Sequence, residues 1–202
     1  MKQNRNGKAA IFKQEDIRKI RRAFDSSHHR CIFEIALFTG ERMGAIVQLQ
    51  VSDVYRDPLN SIPHDLITFA ARTRKARPGG ARETRQVPLH PDLKSFLESY
   101  KPSLDGYLFP GRVSKESTLQ VNHITYDSVY QYWQRKFSDL GIDHKGFSTH
   151  SSRRWLITKL VRSGTDLKTV QNITGHKNVN VLLGYVGESL ELSKNALAAV
   201  SV

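Results

Sequence analysis

The stretch FSTHSSRRWLITKLVRSG, residues 147–164, decides the fold prediction. Its apolar residues recur at helical spacing, and Ser163-Gly164 ends the predicted helix. His150 and Arg153 are three positions apart near the start of this helix, so both side chains share one face and can reach one ligand. Because a helix N-terminus favours negative charge, this turn is a candidate anion-binding site.

The sequence on either side of this stretch predicts further helices and a small group of strands. Apolar spacing indicates helices on both sides, whereas shorter β-rich runs bounded by Pro and Gly indicate three strands. We therefore predict an α+β fold, mainly α-helical, with one small three-stranded antiparallel sheet. The predicted helices are 14–24, 28–38, 43–49, 91–100, 122–140, 149–161, 166–173, 178–185 and 188–200, and the strands are 51–55, 66–71 and 85–89.

Composition indicates one globular domain of 202 residues, with 39% hydrophobic and 25% charged residues. No run approaches the roughly 20 apolar residues of a membrane span, and the N-terminus has no apolar signal region. A single cysteine, Cys31, excludes an internal disulfide, and we expect a reducing, cytoplasmic compartment. We expect residues 1–12 to be poorly ordered and residues 1–202 to form one catalytic domain.

The charge balance is the first indication of function. Lys and Arg number 31 against 19 acidic residues, which gives a formal net charge of +12. Such an excess on one domain favours a polyanionic partner, and nucleic acid fits better than a membrane because no helix sets basic residues opposite a strong apolar face. A basic surface that only aids solubility is the alternative.

Five short features follow one another in a fixed order and suggest a common chemistry. Each is weak by itself, but two arginines can grip the nonbridging oxygens of one phosphodiester, and a tyrosine can attack its phosphorus. A lysine on a basic hairpin can protonate the leaving oxygen. The features are Arg42 in TGERMG, Lys75 in the hairpin, His150 with Arg153, Gly175-His176, and Tyr185 nine residues after His176.

Other phosphate chemistries find no support in the sequence. The histidines lack the HExxH spacing, no carboxylate cluster suits two divalent ions, and no Walker A loop is present. We therefore predict a reaction that uses neither a metal, a nucleotide nor any other cofactor.

With these residues in place, the sequence resembles the catalytic domain of the tyrosine recombinase, or phage integrase, family over about residues 10–200. The matching stretches are ALFTGERMGAIVQLQVSDV (36–54), the basic hairpin ending in RQVPLH (85–90), FSTHSSRRWLITKLVRSG (147–164) and VQNITGHKNVNVLLGYVG (170–187). The resemblance implies a site-specific recombinase or integrase that cuts and rejoins double-stranded DNA through a 3′-phosphotyrosyl intermediate, without metal or ATP.

The resemblance also implies a role for each catalytic residue. Arg42 and Arg153 bind the scissile phosphate, and His176 donates a hydrogen bond to it. Tyr185 is the nucleophile, Lys75 protonates the 5′-oxygen, and His150 assists proton transfer. Residues expected to contact DNA are Arg72, Arg74, Arg77, Arg82, Arg154 and Lys177.

Three departures from the family pattern are visible. Ala45 stands where an acidic residue often holds the first arginine, so Glu41 or Asp53 is expected to brace Arg42. The hairpin is unusually basic, which leaves the register of Lys75 open. The chain leaves no room for an N-terminal domain that clamps DNA, and we expect none within these residues.

The resemblance further implies a tetramer on DNA, in which the C-terminal helix, within residues 188–202, docks on a neighbouring copy or packs on its own domain. Three alternatives remain. A non-catalytic DNA-binding protein is one, because residues 166–184 have a helix-turn-helix pattern. A type IB topoisomerase-like enzyme shares the chemistry. An RNA-binding module is disfavoured by the absence of an aromatic–basic RNP-type strand.

Overall fold

The computed structural model describes residues 9–74, 80, 82–111, 123–176 and 178–183. This part of the chain is mainly helical, and its strands are short. The helices are α1 (Gln14–Ala23), α2 (Ser27–Thr39), α3 (Met43–Ile46), α4 (Pro91–Ser99), α5 (Tyr126–Asp139), α6 (His150–Arg162), α7 (Leu167–Thr174) and α8 (Val179–Leu183). The strands are β1 (Tyr55–Asp57), β2 (Ile62–Pro63), β3 (Leu66–Phe69) and β4 (Arg85–Pro88), and three short 3₁₀ turns span Val51–Asp53, Ala71–Thr73 and Asp143–Lys145.

Helix α2 lies at the centre of the fold. The hydroxyl of Ser26 accepts a hydrogen bond from the backbone N–H of His29 and caps the start of the helix. Residues 31–37 are buried without interruption, so the helix is covered on all sides and packs against α3, α4 and α6. It ends at Gly40, whose φ of 58° is left-handed, and this turn aims the chain into the candidate site.

The main core is rich in aromatic rings, and it includes residues that we expected to lie elsewhere. Phe12 is 3% exposed and lies 4.7 Å from the ring of Phe147, so the prediction of disorder through residue 12 was wrong for this end of the segment. The aromatic residues of α5 differ in burial. Trp133 is fully buried, whereas Tyr126 and Tyr130 are 40% and 39% exposed and stack on each other.

The prediction of a single three-stranded sheet was wrong for the described residues, although the α+β class is confirmed. Strands β1 and β2 form one antiparallel pair, and β3 and β4 form another, with Leu66 opposite Pro88 and Phe69 opposite Arg85. The segment predicted as the first strand begins as the 3₁₀ turn Val51–Asp53. There the carboxylate of Asp53 accepts a 2.9 Å hydrogen bond from the N–H of Gln50, and this local bond competes with strand pairing.

The last three described helices form a small subassembly against α2. Helix α7 is capped by Asp166, whose carboxylate accepts from the N–H of Thr169 at 2.9 Å. A second apolar cluster, made of Ile157, Val161, Val170 and Leu182, joins α6, α7 and α8. Within the described residues, no helix combines the length and apolarity needed to cross a membrane.

Candidate active site

Arg153 is the side chain around which the site is organised. It is only 8% exposed, and its guanidinium donates hydrogen bonds to two backbone carbonyls, one of Gly40 and one of Thr174 at 2.8 Å. The first carbonyl belongs to the turn after α2 and the second to the last residue of α7. One planar cation in α6 therefore joins the end of the next helix, α7, to the turn after α2, which lies 113 positions earlier in the sequence.

His176 lies directly beside Arg153, in a tautomer that its neighbours define. The hydroxyl of Thr174 donates to the carbonyl of Val170 at 2.6 Å, so it accepts from Nδ1–H of His176 at 2.7 Å. Nε2 is then free to accept a hydrogen bond from Arg153 Nη2, 3.1 Å away. Desolvation, followed by the charges of Arg153 and Arg42, lowers the pKa of His176 to about 4, which agrees with this neutral ring.

His150 occupies the first turn of α6 and is exposed at the surface, one helical turn from the buried Arg153. Partial burial of the ring, followed by the charges of Arg153 and Arg42, lowers its pKa. Its Nδ1 lies 3.5 Å from the hydroxyl of Thr149, which in turn lies 3.1 Å from the hydroxyl of Tyr126. The histidine is neutral near pH 7 and is suited to accept a proton.

Arg42 is the exposed arginine of the site. It precedes α3, and its N–H donates to Glu41 Oε1 at 2.8 Å. Its positive charge lowers the pKa of both His150 and His176, so its guanidinium lies within electrostatic reach of both rings. The turn before α3, the first turns of α6 and the segment after α7 thus bring together Arg42, His150, Arg153 and His176.

A buried carboxylate lies beneath this cluster. Glu41 is 3% exposed, and its Oε2 lies 2.5 Å from Arg85 Nη1 and 3.4 Å from Arg74 Nε. Burial acts to raise the pKa of Glu41, but Arg85, the N–H of Arg42, Arg74 and Arg153 together hold it below its usual value. The guanidinium groups of Arg74, Arg85 and Arg153 therefore act on one carboxylate. The charge of Arg42 also acts on Arg85, so the group as a whole keeps positive charge for a bound anion.

The remaining predicted residues differ in their exposure, and some lie outside the described part of the chain. Arg72 and Arg82 are exposed on the basic hairpin, whereas Arg74 points inward to Glu41 and to the carbonyl of Glu83 at 2.8 Å. The guanidinium of Arg154 donates to the carbonyl of Ala9. Lys75, Arg77, Lys177 and Tyr185, and the predicted helix within 188–202, lie outside the described residues.

Of the two residues expected to brace Arg42 in the presence of Ala45, Glu41 is the one that contacts it in the described part of the chain. Its carboxylate accepts a hydrogen bond from the backbone N–H of Arg42, whereas the carboxylate of Asp53 accepts one from the N–H of Gln50. Sequence reasoning missed the importance of Arg85, which was counted among the basic hairpin residues. The alternation of buried and exposed positions in β4 puts Arg85 on the same face as buried Val87, and a buried arginine needs an acidic partner.

No group of three or more His, Cys, Asp or Glu side chains in the described ranges is close enough to hold a metal ion. The chemistry of the cluster is that of an anion site. Two arginines present N–H groups, two neutral histidines stand beside them, and this combination suits a phosphodiester whose charge increases in the transition state.

Solved structures with the same fold define the class of this domain. The XerA recombinase aligns with a TM-score of 0.66 and 20% identity, over 95% of this chain and 66% of that one. The Tn1549 transposon integrase, solved with a circular intermediate DNA, aligns with a TM-score of 0.69 and 15% identity, over 96% of this chain and 67% of its own. The described fold is therefore that of a tyrosine recombinase catalytic domain.

The family itself is shown by sequence. The model of the phage integrase family matches residues 11–189, and the chain belongs to that family. Similar curated proteins include a XerC-like tyrosine recombinase of Caldanaerobacter subterraneus subsp. tengcongensis, 23% identical over 189 residues, and the tyrosine recombinase XerD of Yersinia pestis, 27% identical over 175 residues. The alignments cover 84% and 80% of this chain but 48% and 50% of those proteins, so the chain spans about half their length.

Proposed function

We propose that this chain cuts and rejoins double-stranded DNA as a tyrosine-type site-specific recombinase. One observation carries the proposal: His150 and Arg153 of α6 lie with His176, which follows α7, and with Arg42, which precedes α3, in a site with excess positive charge. Membership of the phage integrase family supports the same conclusion. Pure binding of a DNA backbone does not require two neutral histidines beside a buried arginine.

The reaction that we propose is a phosphoryl transfer to tyrosine. Arg42 and Arg153 hold the nonbridging oxygens of the scissile phosphate. His176 takes up a proton when the phosphate binds and donates a further hydrogen bond to it through Nε2. The phenol oxygen of Tyr185 attacks phosphorus and forms a 3′-phosphotyrosyl ester, while the bond from phosphorus to the 5′-oxygen breaks. The phenol proton goes to His150, and the 5′-oxygen takes a proton from Lys75.

The second half of the reaction is the reverse of the first. A 5′-hydroxyl from a partner strand attacks the phosphotyrosyl ester, a new phosphodiester forms, and Tyr185 regains its proton. The ester conserves the energy of the original bond, so the proposal needs neither ATP nor a metal ion. We propose that the complete reaction takes place in a DNA-bound tetramer in the cytoplasm, with Arg72, Arg77, Arg82, Arg154 and Lys177 contacting DNA.

The test is covalent capture. The protein is incubated with a duplex nicked close to the candidate cleavage site, so that the short 5′-hydroxyl fragment diffuses away and the adduct accumulates. We expect a denaturation-resistant protein–DNA band that Tyr185→Phe abolishes while DNA binding is retained. Tyr130→Phe is the matched control, because Tyr130 is exposed on α5 and should leave the adduct intact.

Three outcomes would overturn the proposal or part of it. An adduct that survives in Tyr185→Phe moves the nucleophile to another tyrosine. Tight DNA binding with no adduct from any variant favours the helix-turn-helix interpretation of α7 and α8, a non-catalytic DNA-binding protein. Adduct formation without strand exchange between two duplexes assigns the protein to enzymes that nick and reseal a single strand.

A further inference from the structure

We propose that Glu41 and Arg85 are positioning residues that lock the Arg42 turn onto strand β4. This inference rests on the proposed function, because the turn matters only if Arg42 binds the reacting phosphate. Neither residue touches the phosphate in this scheme. Each acts through Arg42, Arg153 and the backbone that carries His176.

The contacts form one continuous connection from β4 to the backbone of Arg42. Arg85 Nη1 lies 2.5 Å from Glu41 Oε2, and Arg85 Nη2 donates to the carbonyl of Thr39 at 3.0 Å. The other carboxylate oxygen, Oε1, accepts from the N–H of Arg42 at 2.8 Å. The turn from Thr39 to Arg42 is thus held at both of its ends by one guanidinium and one carboxylate.

Arg85 and Arg153 hold adjacent carbonyls of the same turn. Arg85 takes the carbonyl of Thr39 and Arg153 takes that of Gly40. A shift of the turn therefore moves the carbonyl of Gly40, which helps to orient the guanidinium of Arg153. The effect reaches two proposed phosphate ligands at once, since Arg42 follows directly in the chain.

Close packing extends the connection to the third side of the site. A Cβ atom at Gly175 would lie 3.3 Å from Cδ of Arg85 and 2.9 Å from Nη2 of Arg74. The two arginines therefore pass directly beneath the residue that precedes His176. Loss of Glu41 frees both side chains from their acidic partner and removes support from this backbone.

Burial argues that the pair does more than stabilise the fold. Glu41 and Arg85 are 3% and 7% exposed, and taking two charges out of water costs much of what their attraction returns. Apolar residues of similar size often serve stability as well as a buried pair does. A carboxylate at this place also offsets the mutual repulsion of Arg42, Arg74, Arg85 and Arg153, which lets them stay close together before DNA arrives.

The chain contains a matched control for this pair. Glu34 is 2% exposed and is also held between two arginines, with Arg21 Nη2 at 2.6 Å and Arg30 Nε at 2.7 Å. Its partners lie in α1 and α2, and its described ion pairs include no residue of the candidate site. Glu34→Gln and Glu41→Gln remove the same charge from equally buried positions, one outside the site and one beneath it.

The experiment measures three quantities for wild type, Glu34→Gln, Glu41→Gln and Glu41→Asp. These are the melting temperature, the dissociation constant for the nicked duplex, and the first-order rate of adduct formation at saturating DNA well below the melting temperature. We expect both Gln variants to have a lower melting temperature than wild type. Only Glu41→Gln should lower the rate of adduct formation, by roughly tenfold to a hundredfold as expected for a misplaced catalytic group, and Glu41→Asp should recover part of it.

A double-variant cycle tests the pair itself. Because the two residues act as one unit, Glu41→Gln combined with Arg85→Gln should slow adduct formation hardly more than the slower single variant. The inference is overturned if Glu41→Gln reacts at the wild-type rate, or if Glu34→Gln slows the reaction equally. A wild-type protein that forms no adduct at all would instead reject the proposed function, so the two failures are distinct.

Discussion

The guanidinium of Arg153 donates a hydrogen bond to the carbonyl of Gly40, although the two residues are 113 positions apart. The same guanidinium donates to the carbonyl of Thr174, at the other edge of the site. Five N–H donors in one fixed plane allow Arg153 to contact two backbone segments and the ring of His176 at the same time. Lysine has a single rotatable ammonium and cannot satisfy both carbonyls and a phosphate in the same geometry.

We therefore predict that Arg153→Lys fails almost as severely as Arg153→Ala. Adduct formation on the nicked duplex should fall by roughly a hundredfold to a thousandfold in either variant, the size typical of a lost transition-state donor. The rate at saturating DNA is the decisive measurement, because DNA affinity rests on many other basic residues. A lysine variant that retains most of the wild-type rate would show that Arg153 acts only as a positive charge.

The helices, and the common face of His150 and Arg153, could be predicted from the sequence because their determinants are local. Periodic apolar residues mark α2, α5 and α6, and the spacing of His150 and Arg153 fixes their common face. The meeting of these residues with Arg42 followed only from resemblance to a family. No local pattern in TGERMG shows which distant side chain will donate a hydrogen bond to the carbonyl of Gly40.

Features that depend on tertiary contacts were predicted less well. The prediction of a single three-stranded sheet was wrong because the first segment begins as a 3₁₀ turn, where the carboxylate of Asp53 accepts a local hydrogen bond from the N–H of Gln50. The strand after this turn, β1, pairs with β2 and not with β3 or β4. Tyr126 and Tyr130 share the helical spacing of Trp133, yet they lie beyond the edge of the core. Arg74 was expected on the DNA surface because charge alone does not reveal a buried acidic partner such as Glu41.

Salt dependence should separate the surface arginines from the inward-facing one. We predict that Arg72→Gln lowers the slope of log affinity against log salt by about 0.9, the value for one lost phosphate contact. Arg74→Gln should leave that slope nearly unchanged and instead slow adduct formation, because Arg74 faces Glu41. The dissociation constants for a duplex, measured over a series of salt concentrations, give the slope. Equal slopes for wild type and Arg72→Gln would remove Arg72 from the DNA surface.

The neutral His176 predicts that DNA binding is linked to proton uptake. In the free protein its pKa is lowered to about 4, by desolvation first and then by Arg153 and Arg42. A phosphate between these cations adds negative charge and raises the pKa, so binding takes up a proton and affinity increases as pH falls between roughly 6.5 and 4. Imidazole resonances titrated with and without DNA measure both values, and His176→Asn identifies the signal.

The same shift sets how stability depends on pH. The folded-state pKa of His176, about 4, lies below the reference value of 6.5, so the unfolded chain binds more protons between these values. The stabilising contribution is complete above pH 6.5 and is lost as the pH falls towards 4. The melting temperature of wild type should therefore drop more steeply over this window than that of His176→Asn. Parallel curves for the two proteins would contradict the assignment of a neutral ring.

Gly40 provides a test of the turn on which the whole site depends. Its φ is 58°, and an added Cβ would lie 2.9 Å from Cδ2 of Leu156 and 3.9 Å from Cγ of Arg153. Gly40→Ala should therefore destabilise the protein by about 2 kcal/mol, which combines left-handed strain with displacement of a core leucine. Gly44 is the matched control, because it lies in α3 with no heavy atom within 4 Å of its added Cβ.

Gly44→Ala should be neutral or stabilise the protein by about 0.5 kcal/mol, since alanine restricts the unfolded chain and favours the helix. Urea unfolding of the two variants gives both free energies, and adduct formation below the unfolding transition shows whether the turn also sets the rate. Gly40→Ala should be slower than Gly44→Ala even where both are fully folded, because displacement of Leu156 moves the carbonyl that orients Arg153. Equal rates for the two folded variants would mean that the site tolerates a shifted turn, and the connection from Gly40 to Arg153 would then be structural only.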